Sequence, residues 1–233
     1  MKDWLMIVLI GVSTCFIACS ASQHPQRVSI LGDSYSTFAG HVTPTSNACY
    51  YGEDTPAWHE GQDVTVVEQT WWWKAICENE GFVLERNNSY SGSTIVNTPL
   101  EGMDEQTSFI HRADSLGNPD IILVFGGTND YWNNRLERGK FQYTDWTEDD
   151  IKQFRPGTAY LLHQLQTRYE KAQIYFILND QLEDIGEDIC HICAYYHIPV
   201  IRPEGIDKCP DGHPTVAGMQ TIADAVKEAL GEP

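Results

Sequence analysis

Apolar and polar positions along the chain follow two alternating rhythms. Short, nearly continuous apolar runs fall at residues 28–31, 82–85, 121–125, 174–178 and 198–201. Runs without polar alternation suit strands covered on both faces, as in a parallel sheet. Between them lie longer segments whose apolar residues recur three and four apart, at 68–79, 158–169, 185–196 and 215–230. In the last, Val216, Met219, Ala223, Val226 and Leu230 form one stripe, and Gly231 and Pro233 end it. Strands alternating with helices predict an α/β domain with a parallel sheet and right-handed crossovers.

Two stretches break the rhythm. Residues 38–67 and 131–155 are long, polar and aromatic, the first with Tyr50, Tyr51 and Trp58, the second with Tyr131, Trp132, Phe141, Tyr143 and Trp146. Both follow a predicted strand, at the sheet edge where open α/β folds bind ligands. Long ordered loops in a compact domain are often functional. Flat aromatic faces there suit sugar rings; the plainer reading is that they pack the loops onto the body. Three consecutive tryptophans, Trp71, Trp72 and Trp73, cannot share one helix face, so at least one belongs in the core and another is available to a cleft.

Composition narrows the class. A chain of 233 residues accommodates one domain, and 42% hydrophobic content with 7 Trp and 11 Tyr favours folding over disorder. A formal net charge of −18 argues against a nucleic-acid partner, which requires a basic footprint. Residues 4–18, WLMIVLIGVSTCFIA, make an apolar core too short for a membrane span and followed by polar residues, as in a signal peptide covering 1–18. FIACS resembles a bacterial lipobox, with Phe16 where leucine is usual and Cys19 as the lipidated residue. That implies a lipid-anchored tether over 19–26, a domain over 27–233 and an extracytoplasmic lipoprotein in the periplasm or outer membrane. The alternatives are cleavage near Ala21 and a buried N-terminal helix. Setting aside Cys15 in the leader and Cys19, the remaining cysteines, Cys49, Cys77, Cys190, Cys193 and Cys209, are odd in number, so intramolecular disulfides would leave at least one unpaired. The CHIC pair at 190–193 lies on helical spacing without a second pair, which favours small apolar core residues over a zinc site.

Four stretches carry candidate chemistry. SILGDSYS ends an apolar run in Gly32, Asp33 and Ser34. A serine hydroxyl is a weak nucleophile until a base takes its proton. His213, in CPDGHPT just before the last helix, is a candidate base. IILVFGGTND places Asn129, a possible carboxamide donor to an oxyanion, after another strand. NNSYSGSTI offers the backbone N–H of Gly92 with no side chain to obstruct it. Singly, each also reads as a turn, a surface residue or a core residue.

Taken in order, the four stretches resemble the SGNH hydrolase superfamily, the GDSL esterases and lipases. GDSYS is similar to its first block, NSYSGST to its second, GGTND to its third and DGHP to its fifth, across about residues 28–228. The resemblance implies a three-layer α/β/α, flavodoxin-like fold with a parallel sheet of about five strands, and cofactor-free, metal-free ester hydrolysis. It implies Ser34 as nucleophile, His213 as base, and Ser34, Gly92 and Asn129 as the oxyanion hole. The family aspartate usually stands three residues before the histidine, where this chain has Pro210; Asp211 stands two before. The acid is then Asp211, or Asp207, or a backbone carbonyl orients a Ser–His dyad. Asp33 and Asp130 suit loop bracing. Tyr131, Trp132 and Trp58 are candidate substrate contacts. The expected activity is removal of acetyl or other short acyl groups from carbohydrate. The alternatives are a lysophospholipase or thioesterase, and a silent carbohydrate-binding protein on the same fold.

Overall fold

The five apolar runs pair into one sheet. In the computed structural model, residues 24–52 and 61–231 are described; the expected signal peptide, Cys19 and Trp58 lie outside them. The strands are β1 (Gln26–Gly32), β2 (Phe82–Ser89), β3 (Ile121–Phe125), β4 (Gln173–Ile177) and β5 (Val200–Ile201). All pair in parallel, in the order β2-β1-β3-β4-β5. This is the flavodoxin-like order, and its switch point lies between β1 and β3.

Both sheet faces are apolar because both are covered. Along β3, Ile121, Leu123 and Phe125 enter one core while Ile122 and Val124 enter the other. On the first side they meet α5 (Val216–Leu230), through Met219, Ile222, Ala223 and Val226, together with Trp71 and Trp72. On the second they meet α3 (Phe154–Arg168) and α4 (Glu183–Tyr195), through residues such as Leu161, Leu165, Ile189 and Ile192. Two short helices, α1 (Phe109–Arg112) and α2 (Thr128–Trp132), lie in the connections flanking β3.

Three elements differ from the sequence expectation. The helix expected over 68–79 is a 3₁₀ turn, Val67–Gln69, followed by a π-helical turn, Trp73–Cys77, in which Glu78 N–H donates to Trp73 C=O at 3.1 Å. Trp71 and Trp72 are both fully buried and Trp73 is half-buried against the same core; none of the three lines the cleft described below. The last strand is shortened to two residues: Pro199 has no N–H for the ladder, although its carbonyl still accepts from Phe176 N–H at 3.0 Å. The third helix starts at Phe154 rather than 158, because Pro156 is tolerated in a first turn. Cys193 is buried in the core of α4, and all five described cysteines are unpaired. Among the described residues no helix is long and apolar enough to cross a membrane, and no group of three His, Cys, Asp or Glu is placed to hold a metal.

Candidate active site

The Gly-Asp-Ser tail of β1 has a packing cause. A Cβ on Gly32 would fall 2.6 Å from Ser89 Oγ and 2.8 Å from Ser36 Cβ, so only glycine lets the chain pass. Asp33 then caps a single 3₁₀ turn, Ser34–Ser36, by accepting the N–H of Tyr35 at 3.1 Å. Ser34 is thereby set at the tip of β1, 6% exposed. At the end of the adjacent β3, a Cβ on Gly126 would lie 2.4 Å from Phe109 Cζ, and Gly127 takes φ +103°. This left-handed turn launches α2 and places Asn129 and Asp130 beside the β1 tip, across the switch point.

Buried polar contacts join these ends to the loop after β2. Asn129 Nδ2 donates to Ser93 C=O at 2.9 Å, and Asp130 accepts the N–H of Ile95 at 2.8 Å. Arg112, which the sequence did not mark out, donates from Nη2 to Gly32 C=O at 3.1 Å and to Ser93 Oγ at 2.9 Å. It also donates from Nε to Thr107 C=O at 2.7 Å and from Nη1 to Asn88 C=O. One guanidinium thus holds together the chain segments that carry Ser34 and Gly92. Among the described residues, no protein acceptor takes the N–H of Ser34 or of Gly92.

His213 arrives on a tight loop before α5. Cys209 N–H donates to His213 C=O at 2.8 Å, and Thr215 N–H to Asp207 C=O at 3.0 Å. Two phenols fix this loop from the other end of the chain: Tyr35 donates to Gly212 C=O at 2.5 Å and Tyr51 to Pro214 C=O at 3.1 Å. The result is a distance of 2.9 Å between His213 Nε2 and Ser34 Oγ, across 179 residues of sequence. With Nε2 unprotonated, the hydroxyl donates and can pass its proton to the ring.

Of the acids considered, Asp211 lies at the imidazole, with Oδ1 3.4 Å from Nδ1 and 3.2 Å from the His213 N–H it accepts. Burial raises its carboxyl, but hydrogen bonds from the Tyr50 hydroxyl and the His213 N–H outweigh that and hold it below the usual range. Asp207 is engaged elsewhere, accepting the Thr215 hydroxyl at 2.5 Å at the start of α5.

Asp33 and Asp130 behave as buried acids. Burial pushes Asp33 up to about 7, against the Tyr35 N–H; nearby Asp130 raises it and Arg112 lowers it. Burial likewise pushes Asp130 to about 7, against the N–H groups of Ile95 and Val96. The unfolded chain would titrate both near 4. Between those values the folded state binds more protons than the unfolded one, so this contribution is fully present at low pH and is lost as pH rises through about 7. Asp120 and Asp150, held low by their partners, act below pH 4 and do not oppose it. Tm is therefore expected to fall between pH 5 and pH 8, and Asp33→Asn to flatten that fall. A thermal melt series in which Asp33→Asn leaves the slope unchanged would contradict this account.

Beside His213 opens a cleft of about 360 Å³ lined by Tyr35, Thr128, Tyr131, Trp132, Asn179 and Lys208, among others. Tyr131 and Trp132 both line it, and the Trp132 ring lies 3.2 Å from where a Gly212 Cβ would stand. Phe141, Tyr143 and Trp146 take the plainer course. Tyr143 stacks on Tyr195 at 3.7 Å, Trp146 meets Tyr160 edge-on, and Phe141 packs on His191. The polar floor was not foreseen: Asn179 Nδ2 donates to Thr128 Oγ1 at 2.9 Å, and Lys208 Nζ donates to Asn179 Oδ1 at 3.1 Å and to Asp180. Asn179 and Asp180 follow β4, where no motif drew attention to them.

The site thus sets a strand-tip serine against an imidazole at the switch point of a doubly wound parallel sheet, in a three-layer α/β/α protein. The GDSL-like lipase/acylhydrolase family model matches residues 26–230, and the chain belongs to that family of ester-hydrolysing enzymes. A protein described as a GDSL-like lipase from Bacteroides uniformis is 50% identical, with TM-score 0.83 over 89% of this chain and 96% of that one. A second, from Bacteroides ovatus, is 43% identical with TM-score 0.83, over 89% and 99%. A carbohydrate acetylesterase from Sinorhizobium meliloti shares the fold at TM-score 0.61 and 12% identity, over 88% and 98%. No curated protein matches the chain.

Proposed function

We propose that this chain is a serine esterase that removes acetyl or other short acyl groups from carbohydrate. The observation that carries the reading is the 2.9 Å contact between His213 Nε2 and Ser34 Oγ beside a polar, aromatic-walled cleft. Ser34 Oγ attacks the ester carbonyl carbon as its proton moves to His213 Nε2. The carbonyl oxygen takes up negative charge, met by the N–H groups of Ser34 and Gly92 and the carboxamide of Asn129. The ester C–O bond then breaks, and His213 returns the proton to the departing alcohol. Water attacks the acyl-serine, giving its proton to the same nitrogen; the bond from the acyl carbon to Ser34 Oγ then breaks, His213 returns the proton to Oγ, and the free acid leaves.

The substrate class is supported by the cleft's chemistry. The Trp132 and Tyr131 rings offer a sugar a flat apolar face, while Asn179, Asp180 and Lys208 offer hydrogen-bond partners for hydroxyls. A long acyl chain would require a deeper apolar groove. The relative described as a carbohydrate acetylesterase is consistent with this reading at the level of fold alone. A companion proposal, carried by the apolar leader and Cys19, is display outside the cytoplasm on a lipid anchor.

A chain-length series of acyl esters, run beside an acetylated oligosaccharide, tests the reading. Acetyl esters are expected to be cleaved fastest, with acetate released from the glycan. Preference for long acyl chains would point instead to a lysophospholipase or thioesterase. If no ester is cleaved and a phosphonate probe fails to label Ser34, a binding protein without chemistry becomes the better account.

A further inference from the structure

We propose that Tyr50 is a positioning residue that holds the His213 ring and the Asp211 carboxylate in working alignment. The inference rests on the hydrolytic reading and goes beyond it, because the one-residue shift of the acid leaves a geometric problem. Asp211 Oδ1 stands 3.4 Å from His213 Nδ1, beyond the usual hydrogen-bond range, and the same oxygen accepts the N–H of His213. The carboxylate is folded back on its own loop, as aspartates in turns are. Its grip on the ring is therefore weaker than that of an acid with a short, direct bond.

Tyr50 touches both members of the pair. Its ring lies face to face with the imidazole, with centroids 3.5 Å apart and planes 9° from parallel. Its hydroxyl donates to Asp211 Oδ2. Burial and the neighbouring Asp211 push the phenol well above its ordinary range, so it stays a donor. The stacked face restricts rotation of the imidazole, and its π cloud favours the imidazolium formed when Ser34 loses its proton. The hydroxyl fixes one carboxylate oxygen and so sets the direction of the other.

Tyr50 is itself tied to the nucleophile. Its N–H donates to Thr37 Oγ1 at 2.9 Å, and that hydroxyl donates to Ser34 C=O at 3.0 Å. The Tyr51 ring braces it edge-on at 4.7 Å, while Tyr51 also holds the carbonyl of Pro214. A single stretch, residues 34–51, therefore carries both the serine and the residue that orients its base.

The test compares wild type with Tyr50→Phe and Tyr50→Leu, by steady-state kinetics on a short acyl ester and by proton NMR of the His213 ring. Phenylalanine keeps the stacked face and loses the carboxylate contact. Its kcat is expected to fall about tenfold, the scale of one hydrogen bond to a charged group, with KM within about twofold. Leucine loses both contacts and should cost about a hundredfold, two such losses combined. The His213 ring protons, shifted upfield by the stacked ring in wild type and Tyr50→Phe, should move downfield in Tyr50→Leu. Folded variants that both keep wild-type kcat overturn the proposal. If Tyr50→Leu does not fold, Tyr50→Phe decides alone: an unchanged kcat overturns it and the tenfold loss supports it. A wild type without turnover counts against the hydrolytic reading instead. The resonances of folded Tyr50→Leu then decide the positioning role: a downfield move supports it and no change overturns it.

Discussion

His213→Ala is expected to lower kcat/KM on a short acyl ester by roughly 10⁴-fold or more, with the fold intact. In the proposed mechanism the ring nitrogen 2.9 Å from Ser34 Oγ takes the hydroxyl proton, and without that base a serine hydroxyl stays in its unreactive form. Ser34→Ala should cost about as much. The double variant should be hardly worse than either single one, because serine and histidine act as one unit. Circular dichroism checks the fold, and initial rates with a sensitive acetyl ester check the loss. A His213→Ala enzyme that keeps a tenth of wild-type activity would remove this histidine from the mechanism.

Asn129→Ala carries the second large effect. Removing one oxyanion donor typically costs about 10²–10³ in kcat, or about 2.7–4 kcal/mol. The loss should fall on kcat with little change in KM, because the charge it meets develops only in the transition state. A smaller structural cost accompanies it. Asn129 Nδ2 also donates to Ser93 C=O, and leaving a buried acceptor unmade costs about 1–3 kcal/mol of stability. Kinetics and thermal melts together separate the two roles. A lower Tm with unchanged kcat would make Asn129 a loop tie and nothing more.

What the sequence made legible follows from where the information is local. The apolar runs of β1, β3 and β4 were visible because both faces of a covered parallel strand must be apolar, whereas only the first residues of the edge strand β2 are apolar and its remainder, Glu85–Ser89, carried no such signal. Ser34, Gly92, Asn129 and His213 were visible because each sits in a short motif at a strand end or loop. The π-helical turn Trp73–Cys77 that follows the buried Trp71 and Trp72 was not, since its apolar residues are spaced as an α-helix would space them. Tyr50 read only as one aromatic among several, because its meaning comes from Asp211 and His213, about 160 residues away. Arg112 gave no signal either: apart from the Ser93 hydroxyl its partners are backbone carbonyls gathered from three segments, and a carbonyl has no signature in sequence.

The segment after β4, residues 179–183, leads into α4 and borders the cleft without supplying Ser34, His213 or an oxyanion donor. Gln181 and Glu183 there adopt φ of 65° and 45°, conformations that few side chains accept readily. The rest of the lining is shared with the stretches that carry the proposed chemistry: Tyr35 follows Ser34, Tyr131 and Trp132 follow Asn129, and Gly212 precedes His213. Under the proposed function, residues 179–183 are therefore the part of the cleft whose exchange is expected to change which alcohol is admitted while the contact between Ser34 and His213 is kept.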